Sequence, residues 1–333
     1  MKKAAIIGGF GNIGQGIVRR FLEDGYDVTV ITHPRAVPEA LRDARVMEVH
    51  GRGRDEQFVQ AMRREKFEYV VDLACYTQED ARADCEAFAE AKHVAVTSSG
   101  ASYGALPGAE IPIRESMLQK PTWIYGIQKK EMEEVFWQEH RRTGFPITIF
   151  RPTVTYGRQK VIVRQIASDN SWIDRIRKGK PIVVGNPYIL RNFLYVDDAA
   201  GAFAGAMRHD CVIGQAYNLC GLRPYDWGTY HRTMMEVLGR EVETVEVPLD
   251  LLKACPSFEV SDMITTNFIY NGYYSGEKIA RDIPEFCPQT DLKEGLARTV
   301  AMLDEAGLIP NSDAITWEDE IIRAQRRALQ YWS

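Results

Sequence analysis

The sequence has no uninterrupted apolar run of transmembrane length, and its first residues lack the long apolar stretch of a secretory signal. We therefore expect a cytoplasmic protein without a membrane partner. An excess of basic residues is also missing, because 41 Lys and Arg residues stand against 46 Asp and Glu residues, which gives a net charge of −5. This balance offers no electrostatic basis for binding nucleic acid.

No C-x-x-C pair occurs among the six cysteines, and the six histidines show no ligand spacing. The cysteines are therefore expected to be reduced thiols, not a disulfide framework or a zinc site, and we predict no metal. Internal repeats and low-complexity tracts are absent as well. A chain of 333 residues with 45% hydrophobic residues then predicts one large or two unequal globular domains.

A strand, a glycine-rich turn and a helix open the chain. The run Ala4–Ile7 is typical of a buried parallel strand, and apolar residues recur at helical spacing from Ile13 to Leu22. Between them lies a G-x-x-G-x-x-G turn, which lets a pyrophosphate approach the helix N-terminus. The turn predicts dinucleotide binding, with contacts from Gly8, Phe10, Gly11, Asn12, Ile13 and Gly14.

Tyr125 and Lys129 are four residues apart, so on a helix their side chains share one face. A nearby ammonium favours the phenolate and lowers the pKa of a tyrosine from about 10, which makes a proton shuttle near neutral pH. Ser99 follows a strand-like run, at the end where open α/β sheets bind ligands. Each pattern alone also fits a solvated helix face or a polar turn. Together they predict Ser99, Tyr125 and Lys129 as catalytic residues, with Thr97 and Ser102 as further polar candidates.

In this order and at these spacings, the motifs resemble the extended short-chain dehydrogenase/reductases, a family of NAD(P)-dependent epimerase/dehydratase-like enzymes. The family's R-P-x-x-x-Y-G run corresponds to Arg151–Gly157, and its R-x-F-x-x-V-D-D-x-A run to Arg191–Ala200. The resemblance implies that Tyr125 is the general acid/base, that Lys129 also bonds the nicotinamide ribose, and that Ser99 orients the reacting oxygen. We also assign Leu73, Ala74 and Pro152 to the cofactor site.

Strand-like and helix-like stretches alternate as far as Gly157, which predicts an α/β fold with a doubly wound parallel Rossmann sheet. The strand-like runs are Val28–Thr32, Val46–Val49, Tyr69–Leu73, Val94–Ser98 and Ile147–Phe150. We predict a dinucleotide-binding domain at 1–157, to which 186–220 partly returns. The resemblance implies that 158–185 and 221–333 form a smaller, mixed C-terminal substrate-binding lobe.

The residues after the second strand bear on the choice of cofactor. Thr32 stands where NAD-specific enzymes carry an acid, and His33 and Arg35 follow it. Thr32 and Arg35 can bind a 2′-phosphate, which favours NADP over NAD, although Arg35 also fits a solvated loop. Arg52 replaces an acid that the family places beside the adenine and is a further candidate contact, whereas Asp55 is expected to cap the next helix.

The sequence restricts the substrate less closely. Family dehydratases have T-D-E where Ser99–Ala101 stand, which argues against elimination of water. Arg191 matches the arginine that binds the diphosphate of nucleotide sugars, but Thr265–Asn267 replace the second arginine of that site. Tyr76 is a further candidate for the substrate pocket.

Three functions follow from these residues. The first is an NAD(P)-dependent dehydrogenase or reductase of a sugar-like hydroxyl or carbonyl substrate. The second is a nucleotide-sugar epimerase that retains NAD. The third is a non-catalytic NAD(P)-binding regulatory or RNA-binding relative.

The resemblance also implies a homodimer built through a four-helix bundle. Its helices would lie near Glu79–Lys92 and Tyr125–Arg142. Their large apolar residues are more numerous than one buried stripe requires. These residues are Phe88, Val135, Phe136 and Trp137.

Overall fold

The computed structural model describes residues 2–33, 37–50, 54–104, 108 and 110–331. Its strands are β1 (Lys3–Ile7), β2 (Asp27–Thr32), β3 (Val46–His50), β4 (Tyr69–Asp72), β5 (His93–Thr97), β6 (Ile147–Pro152), β7 (Val154–Tyr156), β8 (Ile182–Val184), β9 (Leu190–Tyr195), β10 (Gln215–Leu219), β11 (Pro224–Asp226) and β12 (Thr244–Glu246). Its α-helices are α1 (Gly14–Glu23), α2 (Glu56–Glu65), α3 (Gln78–Ala87), α4 (Ile124–Thr143), α5 (Ser171–Lys178), α6 (Val196–Ala206), α7 (Trp227–Leu238), α8 (Leu249–Ala254), α9 (Glu277–Asp282), α10 (Leu292–Glu305) and α11 (Trp317–Tyr331).

Seven parallel strands form the main sheet, in the order β10-β6-β5-β4-β1-β2-β3. The order reverses between β1 and β4, and in such sheets ligands bind in the crevice at the carboxyl ends of the strands. The predicted α/β Rossmann fold is confirmed. The strand-like runs differ from the observed strands by no more than two residues at either end.

Side chains of the sheet alternate between two cores, because successive residues of a strand point to opposite faces. In β1, Ala4 and Ile6 pack on one face with α1 and α6. Ala5 and Ile7 pack on the other face with α2, α3 and α4. Burial on both faces explains why these strands read as continuous apolar runs and not as alternating ones.

The remaining strands form two small sheets, β11-β9-β7 and β12-β8. Residues of β7, β8, β9 and β11 pack with α5, α7 and α10 around a third core rich in aromatic rings, including Trp172, Phe193, Trp227 and Tyr230. Val245 of β12 packs in a separate core with α8 and α11. The segment 186–220 serves both parts, because β9 belongs to a small sheet while α6 packs on α1 and β10 pairs with β6. Within the described ranges, every helix is too short or too polar to cross a bilayer.

Candidate functional site

The turn between β1 and α1 requires glycine at two positions, Gly8 and Gly14. Gly8 has a φ of 78°, in the left-handed region, and its carbonyl oxygen accepts a hydrogen bond of 2.8 Å from the Gly11 nitrogen. A side chain on Gly14, the first residue of α1, would place its Cβ 2.5 Å from the same oxygen. The turn therefore leaves backbone and a helix N-terminus open to a ligand, which fits the pyrophosphate of a dinucleotide.

A cleft of about 540 Å³ lies over this turn at the carboxyl ends of the central strands. Most of the residues that the sequence assigns to the cofactor line it: Gly8, Gly11, Asn12, Ile13, Gly14, Thr32, His33, Leu73 and Ala74. Tyr76, assigned to the substrate, also lines it. The cleft is of a size typical of ligand and cofactor pockets.

Four further cofactor assignments have different outcomes. The Phe10 side chain is 3% exposed and packs in the core with α1, so a contact with the cofactor would have to come from its backbone, and the assignment stays a prediction. Arg35 and Arg52 lie outside the described residues. Pro152 is half-buried at the end of β6, and Thr155 lines the cleft beyond it.

The sequence does not predict six residues of the cleft wall: Ile7, Ile31, Arg54, Phe58, Asp80 and Thr155. Arg54 stands in the same G-R-G-R-D run as Arg52, but nothing in that run distinguishes which arginine faces the cleft. Asp55 caps α2, as expected, by accepting a hydrogen bond of 2.9 Å from the Phe58 nitrogen. Asp80 closes the capping box of α3, a role that a T-x-x-D pattern indicates, but the pattern does not reveal its place in the cleft.

The catalytic residues assigned from the sequence come together beside this cleft. Ser99, two residues beyond β5, lies beside Tyr125, in the first turn of α4, close enough for its hydroxyl to lower the pKa of Tyr125. Lys129 is 1% exposed, and its Nζ donates to the carbonyl oxygens of Cys75 at 2.6 Å and Thr97 at 2.9 Å. The same Nζ lies 4.5 Å from the ring centroid of Tyr76 and 5.9 Å from that of Tyr125.

Burial controls the protonation of this pair. It raises the pKa of Tyr125 above 10, and the hydrogen bond from Ser99 offsets part of this increase. It lowers the pKa of Lys129 to about 8. The expected lowering of the Tyr125 pKa by Lys129 is therefore wrong for this arrangement, since the ammonium is directed at two backbone carbonyls.

A buried polar network holds α4 against β5 and β6 behind the catalytic residues. Glu133, one turn beyond Lys129, accepts hydrogen bonds from Arg151 at 2.6 and 3.0 Å and another from Ser98. Arg151 also donates to the Tyr103 hydroxyl at 2.7 Å. Because a satisfied buried network is rigid, it fixes the neighbouring Ser99 relative to α4.

Arg191, assigned to the substrate, makes its contacts away from Tyr125. Its guanidinium donates to the Asn267 side chain at 2.9 Å, to the Asn267 carbonyl and to the Tyr270 carbonyl at 2.8 Å. The side chain is 2% exposed, and burial lowers its pKa to about 10. The two terminal nitrogens of Arg191 are thus occupied by the chain itself, whereas its buried Nε has no hydrogen-bond partner among the described residues.

Residues 4–220 match the profile of the NAD dependent epimerase/dehydratase family. The 2′-dehydrokanamycin reductase of Streptomyces kanamyceticus is 27% identical over 252 residues, which cover 74% of this chain and 70% of that protein.

Solved structures resemble the whole fold. One is the UDP-glucose 4-epimerase of Thermotoga maritima with UDP-glucose, at 20% identity and a TM-score of 0.72, covering 91% of this chain and 99% of that one. Another is the UDP-glucuronic acid 4-epimerase of Bacillus cereus in complex with NAD, at 17% identity and a TM-score of 0.70, covering 91% and 96%. At these identities the likeness shows the fold alone.

Proposed function

Because the chain belongs to the NAD dependent epimerase/dehydratase family, we propose that it is an NAD(P)-dependent reductase or dehydrogenase of a sugar-like carbonyl or hydroxyl substrate. The resemblance to extended short-chain dehydrogenase/reductases is confirmed by that match. The observation that carries the proposal is that Ser99, Tyr125 and Lys129 meet at the edge of the dinucleotide cleft, with Nζ of Lys129 5.9 Å from the ring centroid of Tyr125. When bound, the nicotinamide supplies or accepts the hydride.

The protonation states favour reduction. A phenol whose pKa is raised keeps its proton at neutral pH, so Tyr125 is ready to donate it to a carbonyl oxygen. Ser99 orients that oxygen by a hydrogen bond. Lys129, buried and with a pKa of about 8, still carries its charge on most molecules at neutral pH, which fits the contact with the nicotinamide ribose that the family resemblance implies.

Arg191 supports a substrate without a nucleoside diphosphate. In place of a second arginine, the chain has Thr265–Asn267, and Asn267 takes up two donors of Arg191. A diphosphate entering here would have to displace these hydrogen bonds before it gained any of its own. The Streptomyces relative is, by its name, a reductase and not an epimerase, which accords with the first candidate.

A nucleotide-sugar epimerase with retained NAD is the second candidate, and one contact favours it. The Asn12 side chain, on the glycine turn, donates a hydrogen bond of 3.2 Å to the side chain of Gln159. This contact ties the turn to the segment 158–185 and would slow the release of a cofactor bound beneath it. The regulatory or RNA-binding alternative has no such support, because the Ser-Tyr-Lys set is intact.

Cofactor choice and assembly belong to the same proposal. Thr32 and His33 line the cleft at the end of β2, and neither is a carboxylate that would repel a 2′-phosphate, which supports NADP over NAD. A homodimer through α3 and α4 would depend on Val135 and Trp137, which are half-buried, because Phe88 and Phe136 are buried within the subunit. The cytoplasmic location stays a prediction.

The decisive experiment is turnover of a substrate panel, followed through the absorbance of the reduced nicotinamide. The panel should contain free and glycosidic keto-sugars, their alcohols and nucleotide sugars, each with NADPH, NADH or the oxidised cofactor. Net oxidation of NADPH by a keto-sugar, lost in Tyr125→Phe, supports the reductase. Interconversion of two nucleotide sugars without net change in cofactor absorbance would replace it with the epimerase.

A further inference from the structure

Three charged side chains form a buried cluster between the cofactor cleft and the catalytic lysine. Arg54, on the cleft wall, is 10% exposed at its side chain, and Asp72 and Asp84 are 0% exposed. The guanidinium lies 2.6 Å from a carboxylate oxygen of Asp72 and 2.7 Å from one of Asp84. It therefore joins the last residue of β4 to the middle of α3.

The loop between these two elements, residues 73–77, is tied at both ends to carboxylates that face Arg54. The nitrogen of Ala74 donates to Asp72 at 2.7 Å. The nitrogens of Tyr76 and Thr77 donate to one oxygen of Asp80 at 2.9 and 3.0 Å, and the other Asp80 oxygen lies 3.7 Å from Arg54. Loss of Arg54 would therefore loosen the whole loop.

That loop holds Lys129. The Cys75 carbonyl accepts its hydrogen bond at 2.6 Å, and the Tyr76 ring lies 4.5 Å from its Nζ. The cluster also acts on its charge, because Asp72 raises the Lys129 pKa and Arg54 lowers it. The titratable and charged groups around Lys129 are Asp72, Cys75 and Tyr76 from β4 and its loop, Arg54 before α2, and Tyr125 and Glu133 on α4.

The cluster resembles a metal site in one respect. An oxygen of Asp72, the Cys75 sulfur and an oxygen of Asp84 lie within 4.8 Å of one another. However, the guanidinium already bridges the two carboxylates, and Asp84 has a raised pKa because of its burial and of Asp72. The Arg54 guanidinium therefore already supplies the positive charge between these two carboxylates.

We propose that Arg54 and Asp72 form a positioning unit that fixes the 73–77 loop and, through the Cys75 carbonyl, the place and charge of Lys129. This inference rests on the proposed function for the role of Lys129 toward the nicotinamide ribose. It gives the cleft wall on the side of α2 a part in positioning the lysine.

The test needs no substrate. NADPH and NADH are titrated by fluorescence over a range of pH into the wild type, Arg54→Met, Arg54→Lys, Asp72→Asn and Lys129→Met. Binding to the wild type is expected to weaken as the pH rises through about 8, where Lys129 loses its charge. In Lys129→Met this dependence should vanish.

Shifts of the binding pH dependence in opposite directions would distinguish an effect on the position and charge of Lys129 from a merely structural role. Removing the cation in Arg54→Met should raise the pH at which cofactor binding weakens by about one unit, and removing the carboxylate in Asp72→Asn should lower that pH. Arg54→Lys should restore the wild-type position in part. Arg63→Met is the matched control, because Arg63 also bridges α2 and α3, by an exposed pair with Glu86 at 3.3 Å, and it should shift nothing.

Two results would overturn the proposal. One is a folded Arg54→Met or Asp72→Asn protein whose cofactor affinity follows the wild-type pH dependence. The other is a Lys129→Met protein that keeps this dependence. Either result is independent of turnover, so it can be told from a failure of the proposed reaction, which the activity of Tyr125→Phe decides.

Discussion

Nζ of Lys129 donates a 2.6 Å hydrogen bond to the Cys75 carbonyl, whereas the phenol of Tyr125 pairs with Ser99. The lysine and the tyrosine therefore have different partners, although they are only one helical turn apart. This separation fits the proposed division of tasks, in which Tyr125 and Ser99 would take part in proton transfer and Lys129 would bind the cofactor.

Tyr125→Phe is expected to keep the fold and the cofactor affinity and to lose nearly all turnover. The change removes one hydroxyl and keeps the ring, so packing is barely altered, while general acid/base groups contribute about 10²–10⁴-fold in rate. The measurement is kcat on the substrate found in the panel, with thermal unfolding and NADPH titration alongside. Tyr188→Phe, at a side chain 79% exposed, is the matched control.

Substitutions of Lys129 and Ser99 extend this prediction to a ranking of the three variants by loss of activity. Lys129→Met should lose both rate and cofactor affinity, since it has two roles. Ser99→Ala should be milder, because the proton donor remains. A Tyr125→Phe enzyme that kept most of its activity would mean that the site is misassigned or that the fold serves binding.

A second prediction concerns stability in acid. His93 is 3% exposed in β5 with its Nε2 2.7 Å from the Thr148 hydroxyl, and burial lowers its pKa from 6.5 to about 4. Between these values the unfolded chain binds a proton that the folded chain does not. The contribution of His93 to the free energy of unfolding is therefore fully present above pH 6.5. It falls as the pH decreases toward 4, by on the order of 3 kcal/mol.

Chemical denaturation of the wild type and His93→Gln across this pH range measures the effect. The variant should lose less stability than the wild type as the pH falls, even if it is less stable at neutral pH. His50→Gln, at an exposed position on β3, should retain the full wild-type loss. Equal losses in the wild type and His93→Gln would contradict the assignment.

The parts of this site that the sequence predicts are those with short-range patterns. The glycine turn, the strand before it and the i, i+4 pair of Tyr125 and Lys129 can be predicted from local spacing. The raised pKa of Tyr125 depends on burial, and a helical spacing carries no information about it. Arg54 could not be chosen over Arg52, because its partners Asp72 and Asp84 lie on other elements and meet it only in the folded chain.

Thr32→Asp should reverse the choice of cofactor. A carboxylate at the end of β2 can accept hydrogen bonds from an unmodified ribose and repels a 2′-phosphate. We expect NADPH to bind at least about tenfold more weakly, equivalent to about 1.4 kcal/mol, with NADH unchanged or tighter. Fluorescence titration of both reduced cofactors measures this, with Thr29→Asn on the same strand as the control. Equal binding of NADH and NADPH by the wild type would remove the proposed preference for NADP.

Light scattering at micromolar concentration tests the homodimer. The expected mass is twice that of the 37.8 kDa chain, and Val135→Lys on α4 should reduce it. Leu329→Lys, at an exposed residue of α11, should leave the mass unchanged. Two of the large apolar residues expected at the interface, Phe88 and Phe136, pack inside the subunit, so the interface has less apolar surface than the sequence suggested. A wild-type mass near 37.8 kDa would reject the dimer.

The last prediction concerns the diphosphate. Because Asn267 and the Tyr270 carbonyl occupy the Arg191 guanidinium, UDP is expected to show no measurable binding to the wild type by calorimetry at concentrations where NADPH binds. Asn267→Ala should destabilise the fold by about 1–3 kcal/mol, since it leaves a buried donor without its side-chain acceptor. The control is Asn186→Ala, because the Asn186 side chain accepts a hydrogen bond from the Tyr188 nitrogen in an exposed turn. Asn271→Ala is less suitable, because the Asn271 side chain accepts a hydrogen bond from the nitrogen of Leu190, the residue before Arg191. Micromolar binding of UDP that is lost in Arg191→Met would show that the arginine exchanges its protein partners for phosphate. The nucleotide-sugar epimerase would then become the better reading of this site.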